Sequence, residues 1–229
     1  VLMQSLNAMI CNVIVKNPFG KKICATYGMN KDGVAVMEVA ASCGIDLIPR
    51  EKRDPTQALS YGLGEMLKDA LFKGAKKIII GLGGSGTNDG GYGMLCALGA
   101  KFYDCHHCLL PIEIDSISKI HEIDLSSVYK LLGNCQLIVA NDVENVFTGP
   151  TGATFVFGKQ KGASGEQLQY LEESLVHFQK VIQKQYDIDL AQIKKSGSAG
   201  GLGGALYLLG AQMMSGIDLI LEVTQFEKH

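Results

Sequence analysis

The chain has 229 residues, 47% of them hydrophobic and 19% charged, and a formal net charge of -2. That length and apolar content describe one large globular domain and argue against disorder. The charges are scattered and form no basic stripe for nucleic acid, and no apolar run reaches the length of a bilayer span.

Residues 1–6 read as part of a helix with no capping residue, so the chain is expected to begin in mid-fold. Three short β-rich runs follow, at 10–16, 22–29 and 34–40. They are separated by the turn signals Asn17-Pro18-Phe19-Gly20 and Asn30-Lys31-Asp32-Gly33. This spacing predicts an antiparallel meander. Residues 57–73 have helical periodicity, with Leu59, Leu63, Met66, Leu67, Ala70 and Leu71 on one side and Lys68, Asp69 and Lys73 on the other.

Residues 76–81 (KKIIIG) form a short apolar strand of the kind buried on both faces. The strand runs into a glycine-rich loop and then a helix across 91–98. Residues 136–140 repeat the strand pattern, and 155–157 read as a further apolar strand. Ser164 and Gln167 have capping-box spacing, and Leu168, Leu171, Leu175, Phe178 and Ile182 predict a long amphipathic helix behind them. Residues 199–210 and 217–226 read as two more helices. The expected fold is α/β with a mixed sheet, in one domain over 1–229.

The seven cysteines are an odd number spread through apolar segments, which suits reduced thiols in a cytoplasmic protein. Cys105-His106-His107-Cys108 has no second Cys/His pair at suitable spacing. It is therefore expected to be a surface loop without zinc.

The 28 glycines, well above the ~7% of an average chain, cluster at 81–93 and 197–210. The first cluster, Gly81-Leu82-Gly83-Gly84-Ser85-Gly86-Thr87-Asn88-Asp89-Gly90-Gly91, lies between a buried strand and a helix. In that position free amides and the positive end of a helix make an anion site. It lacks the Lys-Ser/Thr ending of a Walker loop and fits the dinucleotide fingerprint poorly, which disfavours a nicotinamide-dependent oxidoreductase. Asp89 reads either as a helix cap or as a carboxylate bridged to phosphate through Mg²⁺. Asp142 follows the strand at 136–140, where ligands gather in open sheets. Spacing leaves it open between a metal or base carboxylate and a turn residue. Lys159 and Lys161 end the 155–157 run; lysine suits phosphate neutralisation, but taken alone this segment reads by default as a solvated pair of lysines beside a turn. In the last cluster, Gly203 and Gly204 read as packing positions and Gly200 and Gly201 as ligand-facing ones.

Taken in this order, the segments resemble the class I glycerate kinases, which phosphorylate D-glycerate with ATP. The resemblance runs from about residue 13 onward. It is strongest at 80–91, 149–163 and 199–210, with support from 38–44, 61–65 and 216–223. Asn141 stands where the family usually has cysteine, Val146-Phe147 replaces Pro-Leu, and Lys159 replaces proline, while Asp89, Asp142 and Lys161 are in place. The family's opening Ser-Phe-Lys-Gly-like and Asp-Gly-Gly-Glu-Gly-like segments and its closing Thr-Gly-Glu-Gly-like segment do not occur in the sequence.

The resemblance therefore implies a chain truncated at both ends. It would correspond mainly to the inserted, restriction-enzyme-like domain, with the flavodoxin-like domain largely missing and residues 1–9 and 217–229 leading to it. It further implies ATP and Mg²⁺ as cofactors and D-glycerate as substrate, and leaves a homodimer open. Gly83, Gly84, Ser85, Gly86, Thr87 and Asn88 would cradle phosphate, with Gly200 and Gly201 also facing substrate. Asp89 and Asp142 would hold Mg²⁺ or act as base, and Lys161 would neutralise phosphate. The rival expectation is a non-catalytic domain that binds a small anion or a partner chain.

Overall fold

The computed structural model describes residues 2–224. Val1 and Phe226, at the ends of the first and last helices expected from the sequence, lie outside the described residues.

After a single helical turn, α1 (Leu2–Ser5), the meander forms as the turn residues dictate. Strand β1 (Met9–Lys16) pairs antiparallel with β2 (Lys22–Met29) along its whole length, and β2 pairs antiparallel with β3 (Val34–Glu38). Both turns are closed by asparagine side chains. Asn17 Oδ1 accepts from the amides of Phe19 and Lys21, and Asn30 Oδ1 from those of Asp32 and Val34. The third run ends two residues early, because Ala40–Cys43 turns into a short helix, α2.

Helix α3 (Tyr61–Phe72) leads to strand β4 (Lys77–Gly81), the glycine loop and helix α4 (Tyr92–Leu98). A separate two-stranded ribbon of β5 (Lys101–Tyr103) and β6 (Glu122–Asp124) precedes α5 (Ser126–Leu132) and β7 (Gln136–Ala140).

The expected strand at 155–157 is instead part of a helix, α6 (Ala153–Phe157). Gly149 to Gly152 turn the chain, and the amides of Val156 and Gly158 then bond back to Gly152 and Thr154. Phe155 and Val156 face outward, 39% and 43% exposed. So short an apolar run carries no period that tells a strand from a helix.

Helix α7 (Gly165–Tyr186) starts with the expected capping box. Ser164 Oγ accepts from the Gln167 amide, and the Gln167 side chain accepts from the Ser164 amide. Helix α8 (Ser198–Leu208), a short strand β8 (Gln212–Met214) that the pattern did not reveal, and helix α9 (Gly216–Thr224) follow.

The sheet has six strands in the order β1-β2-β3-β4-β7-β8, with β3, β4, β7 and β8 mutually parallel. It is mixed, as expected. Ile78 and Ile80 face the main core with Leu63, Leu95, Leu175 and Phe178. The intervening Ile79 lines up with Val36 and Ile138 under Leu219 on the other face. Both faces of β4 are therefore buried, which accounts for its unbroken apolar sequence. Register also aligns the strand ends: Glu38 opposes Gly81, Gly81 opposes Ala140, and Ala140 opposes Met214. The segments that leave these four ends meet along one edge of the sheet. No helix among the described residues is long and apolar enough to cross a membrane.

Candidate active site

A pocket of about 360 Å³ opens at that edge. Its floor is the first half of the glycine loop, Leu82 to Ser85. Asn141 and Val143 come from just after β7, Phe157 from the last position of α6, Gln160 and Lys161 from the segment after it, and Ser198 and Ala199 from the start of α8. The loop is pinned to the segment after α2. Ile45 N–H donates to Gly84 O, and Gly86 N–H donates to Cys43 O, both at 2.8 Å. Between these anchors, the amides of Gly83, Gly84 and Ser85 donate to no protein acceptor among the described residues. Gly83 and Gly84 are exposed. Unspent amides in a row beside a pocket are the usual makings of an anion cradle.

The second half of the loop does different work. Gly86, Thr87, Asn88 and Asp89 are buried beneath the pocket. Asp89 is fully buried, and its two oxygens take four hydrogen bonds, from Ser60 N–H (2.8 Å), Ser60 Oγ (2.7 Å), Gly91 N–H (3.1 Å) and Gly93 N–H (3.0 Å). Ser60 Oγ accepts from Met94 N–H, so its own proton goes to Asp89. Burial pushes the Asp89 pKa up, and the donors pull against it. Facing donors only, it sits as an acceptor-only carboxylate. The geometry turns Asp89 inward, onto Ser60 and the turn that begins α4, and not toward the pocket. The first amides of α4 are already taken: Tyr92 N–H donates to Asp89 O, Gly93 N–H to the Asp89 carboxylate and Met94 N–H to Ser60 Oγ.

Lys161 enters from a tight 3-10 turn, Lys159–Lys161. It lines the pocket although only 2% exposed, and its Nζ donates to Thr87 O at 2.7 Å. Burial pushes its pKa down to about 7, against the opposing pull of the negative Asp89. Lys159, by contrast, is exposed.

Asp142 lies outside the pocket on its rim. It is exposed, and its Oδ1 accepts from the amide of Gly216 at the start of α9. Gly200 and Gly201 do not face the pocket. Both are buried with positive φ (72° and 91°), and Gly200 O accepts from Gly90 N–H. A β-carbon on Gly200 would lie 2.1 Å from Thr87 O, so the glycine lets α8 press against the back of the loop. Gly203 and Gly204, read as packing positions, are likewise buried and closely packed.

Of the residues singled out in the sequence, the structure thus brings Gly83, Gly84, Ser85 and Lys161 into one pocket. It leaves Asp142 at the margin and places the others behind the wall. Sequence reading missed Ser198 and Ala199, whose only signal was the small-residue run they open. It also missed Lys195, which donates to Asn141 O at 2.9 Å.

The carboxylates present do not build a magnesium site. Asp89 is buried among donors, Asp142 is exposed on the rim, and no group of three or more His, Cys, Asp or Glu capable of holding a metal occurs among the described residues. Cys105 and Cys108 are exposed on the turn of the small ribbon, and His107 stacks on Tyr103.

Residues 1–229 match the model of the glycerate kinase family. Glycerate 2-kinase of Escherichia coli (strain K12) is 42% identical over 217 residues, covering 94% of this chain and 57% of that protein. Glycerate kinase of Bacillus subtilis (strain 168) is 40% identical over 228 residues, covering 99% of this chain and 60% of that protein. A crystal structure from Salmonella typhimurium LT2, assigned as glycerate kinase 2, matches with a TM-score of 0.94 at 37% identity, over 99% of this chain and 61% of that one. The chain therefore spans about three fifths of the length of these relatives.

Proposed function

Because this chain belongs to the glycerate kinase family, we propose that it carries the phosphate-holding wall of an enzyme transferring the γ-phosphoryl group of ATP to a hydroxyl of D-glycerate. The observation that carries this reading is the row of free amides at Gly83, Gly84 and Ser85, set beside the buried amine of Lys161 in one pocket. In the reaction, the hydroxyl oxygen forms a bond to the γ-phosphorus as the bridge to ADP breaks, and the hydroxyl proton is released. The barrier is lowered mainly by positioning and by spreading charge from the phosphoryl oxygens.

On this wall the three amides hold non-bridging oxygens. The protonated Lys161 supplies a compact positive charge in a site shielded from water, where it counts for more than at the surface. Its bond to Thr87 O keeps the ammonium aimed at the loop that holds the phosphate. Magnesium would be brought by the nucleotide, with Asp142 an exposed carboxylate beside the pocket and open to it. Asp89 keeps the loop and α4 in register.

The domain assignment follows the same line. This segment would form the inserted domain, and the flavodoxin-like domain of the relatives would supply the opposite wall. The 229-residue chain is then expected to bind phosphate and ATP weakly and to turn over poorly, since phosphoryl transfer depends on closing both walls about the reactants. The test is glycerate-dependent ADP release by this chain beside the full-length Bacillus subtilis relative. Turnover within about tenfold, a barrier gap of only ~1.4 kcal/mol, would show that the chain holds the whole site. Failure to bind either phosphate or ATP would refute the anion-holding role itself.

A further inference from the structure

Helix α7 contributes no residue to the pocket, yet it carries a buried carboxyl group that the reading above leaves unused. Glu172 is 6% exposed in the middle of the helix. Its Oε1 accepts from the amide of Gly149 at 2.5 Å, while Oε2 is buried with no hydrogen-bond partner. Two turns further along the helix, Gln179 takes the hydroxyl of the adjacent Thr148. Two polar side chains of one helix thus grip two consecutive residues of the turn that begins α6.

The grip reaches the glycine loop. Thr154, in the first turn of α6, lies close enough to Glu172 to lower its pKa, although it makes no regular hydrogen bond to Oε2. The Thr154 hydroxyl accepts from Asn88 Nδ2 at 3.1 Å. Asn88 belongs to the buried half of the loop, next to Thr87, whose carbonyl receives Lys161. Lys161 is itself borne by the segment that α6 leads into. The loop and its lysine are therefore tied to one buried anchor by two routes, one through Thr154 and Asn88 and one through the chain from Gly149 to Lys161.

A buried carboxyl group with a free oxygen is expensive to keep, and an apolar residue would serve packing better. Two further buried oxygens in the same hub, Thr87 Oγ1 and Asn88 Oδ1, also lack partners. Burial raises the pKa of Glu172. That shifts its balance toward the protonated form, in which the carboxyl group can also donate.

We propose that Glu172 is a positioning residue: through Gly149 and Thr154 it sets where the glycine loop and Lys161 stand relative to one another, and so sets the affinity of the pocket for an anion. The inference rests on the anion-holding role proposed above, and its test is arranged so that the two fail separately. Three variants of the 229-residue chain are compared with the parent: Glu172→Ala, Glu172→Gln and Leu171→Ala. The last removes core contacts from the neighbouring position of α7 and controls for plain loss of stability. One readout is amide hydrogen exchange across residues 83–89 and 149–161. The other is the dissociation constant of inorganic sulfate.

Glu172→Ala is expected to raise exchange in both segments and to weaken sulfate about tenfold, the scale of one lost hydrogen bond. Glu172→Gln, which keeps the acceptor for Gly149, should restore both to within about threefold of the parent. Leu171→Ala should lower the melting temperature without singling out residues 83–89. Equal disturbance of that loop by Leu171→Ala and Glu172→Ala would make the role merely structural and overturn the proposal, as would an undisturbed loop in Glu172→Ala. If the parent chain binds no sulfate, the anion-holding role fails and the exchange data alone decide what Glu172 does.

Discussion

The buried amine of Lys161 makes anion binding depend on pH in a direction the structure fixes. Burial holds its pKa at about 7, so near neutrality the folded chain is a mixture of charged and uncharged forms. An anion in the pocket favours the charged form, and the apparent dissociation constant is the intrinsic one divided by the charged fraction. That fraction is about nine tenths at pH 6, about half at pH 7, about a tenth at pH 8 and about a hundredth at pH 9. Sulfate, which does not itself titrate in this range, should bind with near-constant affinity below pH 6. Above pH 7 it should weaken about tenfold per pH unit, with uptake of close to one proton per sulfate at pH 8.

Isothermal titration calorimetry in two buffers of different ionisation enthalpy measures both quantities. Lys161→Met should bind weakly and without the pH slope. An affinity that stays flat from pH 6 to 9 in the parent would mean that Lys161 does not meet the anion, and the reasoning would be wrong. Stability carries the same signature with its own sign. The unfolded chain keeps the proton up to the ordinary lysine value of 10.5 while the folded chain releases it near 7, so this group makes the fold more stable as pH rises between those limits.

Three further outcomes follow from the packing. Asp89→Asn turns an amide N–H₂ toward donors and should cost about 3 kcal/mol, or roughly 6–12 °C in melting temperature. An unchanged melting curve with lost activity would return Asp89 to a ligand-facing role. Gly200→Ala combines a left-handed backbone with overlap on Thr87 O and should cost about 3 kcal/mol by denaturant unfolding. A loss under ~1 kcal/mol would show that the contact yields easily. With Ellman's reagent, the exposed Cys24, Cys105 and Cys108 should react rapidly, whereas Cys43, buried with its pKa pushed up to about 12, should wait for unfolding. Stoichiometric zinc protecting Cys105 and Cys108 would contradict this.

How far the sequence could be read depended on what kind of physical signal each segment carried. The meander, β4, β7 and the capped α7 were legible because each is specified locally, by asparagine turns, by an unbroken apolar run between two covered faces, or by a 3.6-residue period behind a capping box. The run at 155–157 reads as a strand because three apolar residues fit either a strand or a helix. What decided it was the turn from Gly149 to Gly152, held from outside by Glu172 and Gln179. Strand β8 is three residues long and exists through its pairing with β7, a partner more than seventy residues away.

The site was half legible for a related reason. A glycine run states that backbone approaches something closely, but not what it approaches. At Gly83 the neighbour is open space. At Gly200 it is the carbonyl of Thr87, and the same residue type serves to join two parts of the protein's own wall. An aspartate after such a run is equally ambiguous, and only Ser60, twenty-nine residues earlier in the chain, shows that Asp89 is turned inward.

This division of labour limits what the wall can contribute to catalysis. The residues lining the pocket include a lysine, polar groups and free amides, but no carboxylate. Such a surface holds negative charge well. Lys161, when charged to hold the anion, cannot take a proton from a hydroxyl, and the lining offers no carboxylate to do so or to meet a metal. Phosphoryl transfer needs both functions in addition to an anion cradle. On the proposed reading they are to be sought in the two fifths of the relatives' length that this chain does not span. A carboxylate found there facing Lys161 across the closed cleft would complete the charge pattern. One found already engaged in packing, as Asp89 is here, would leave the transfer step without a base.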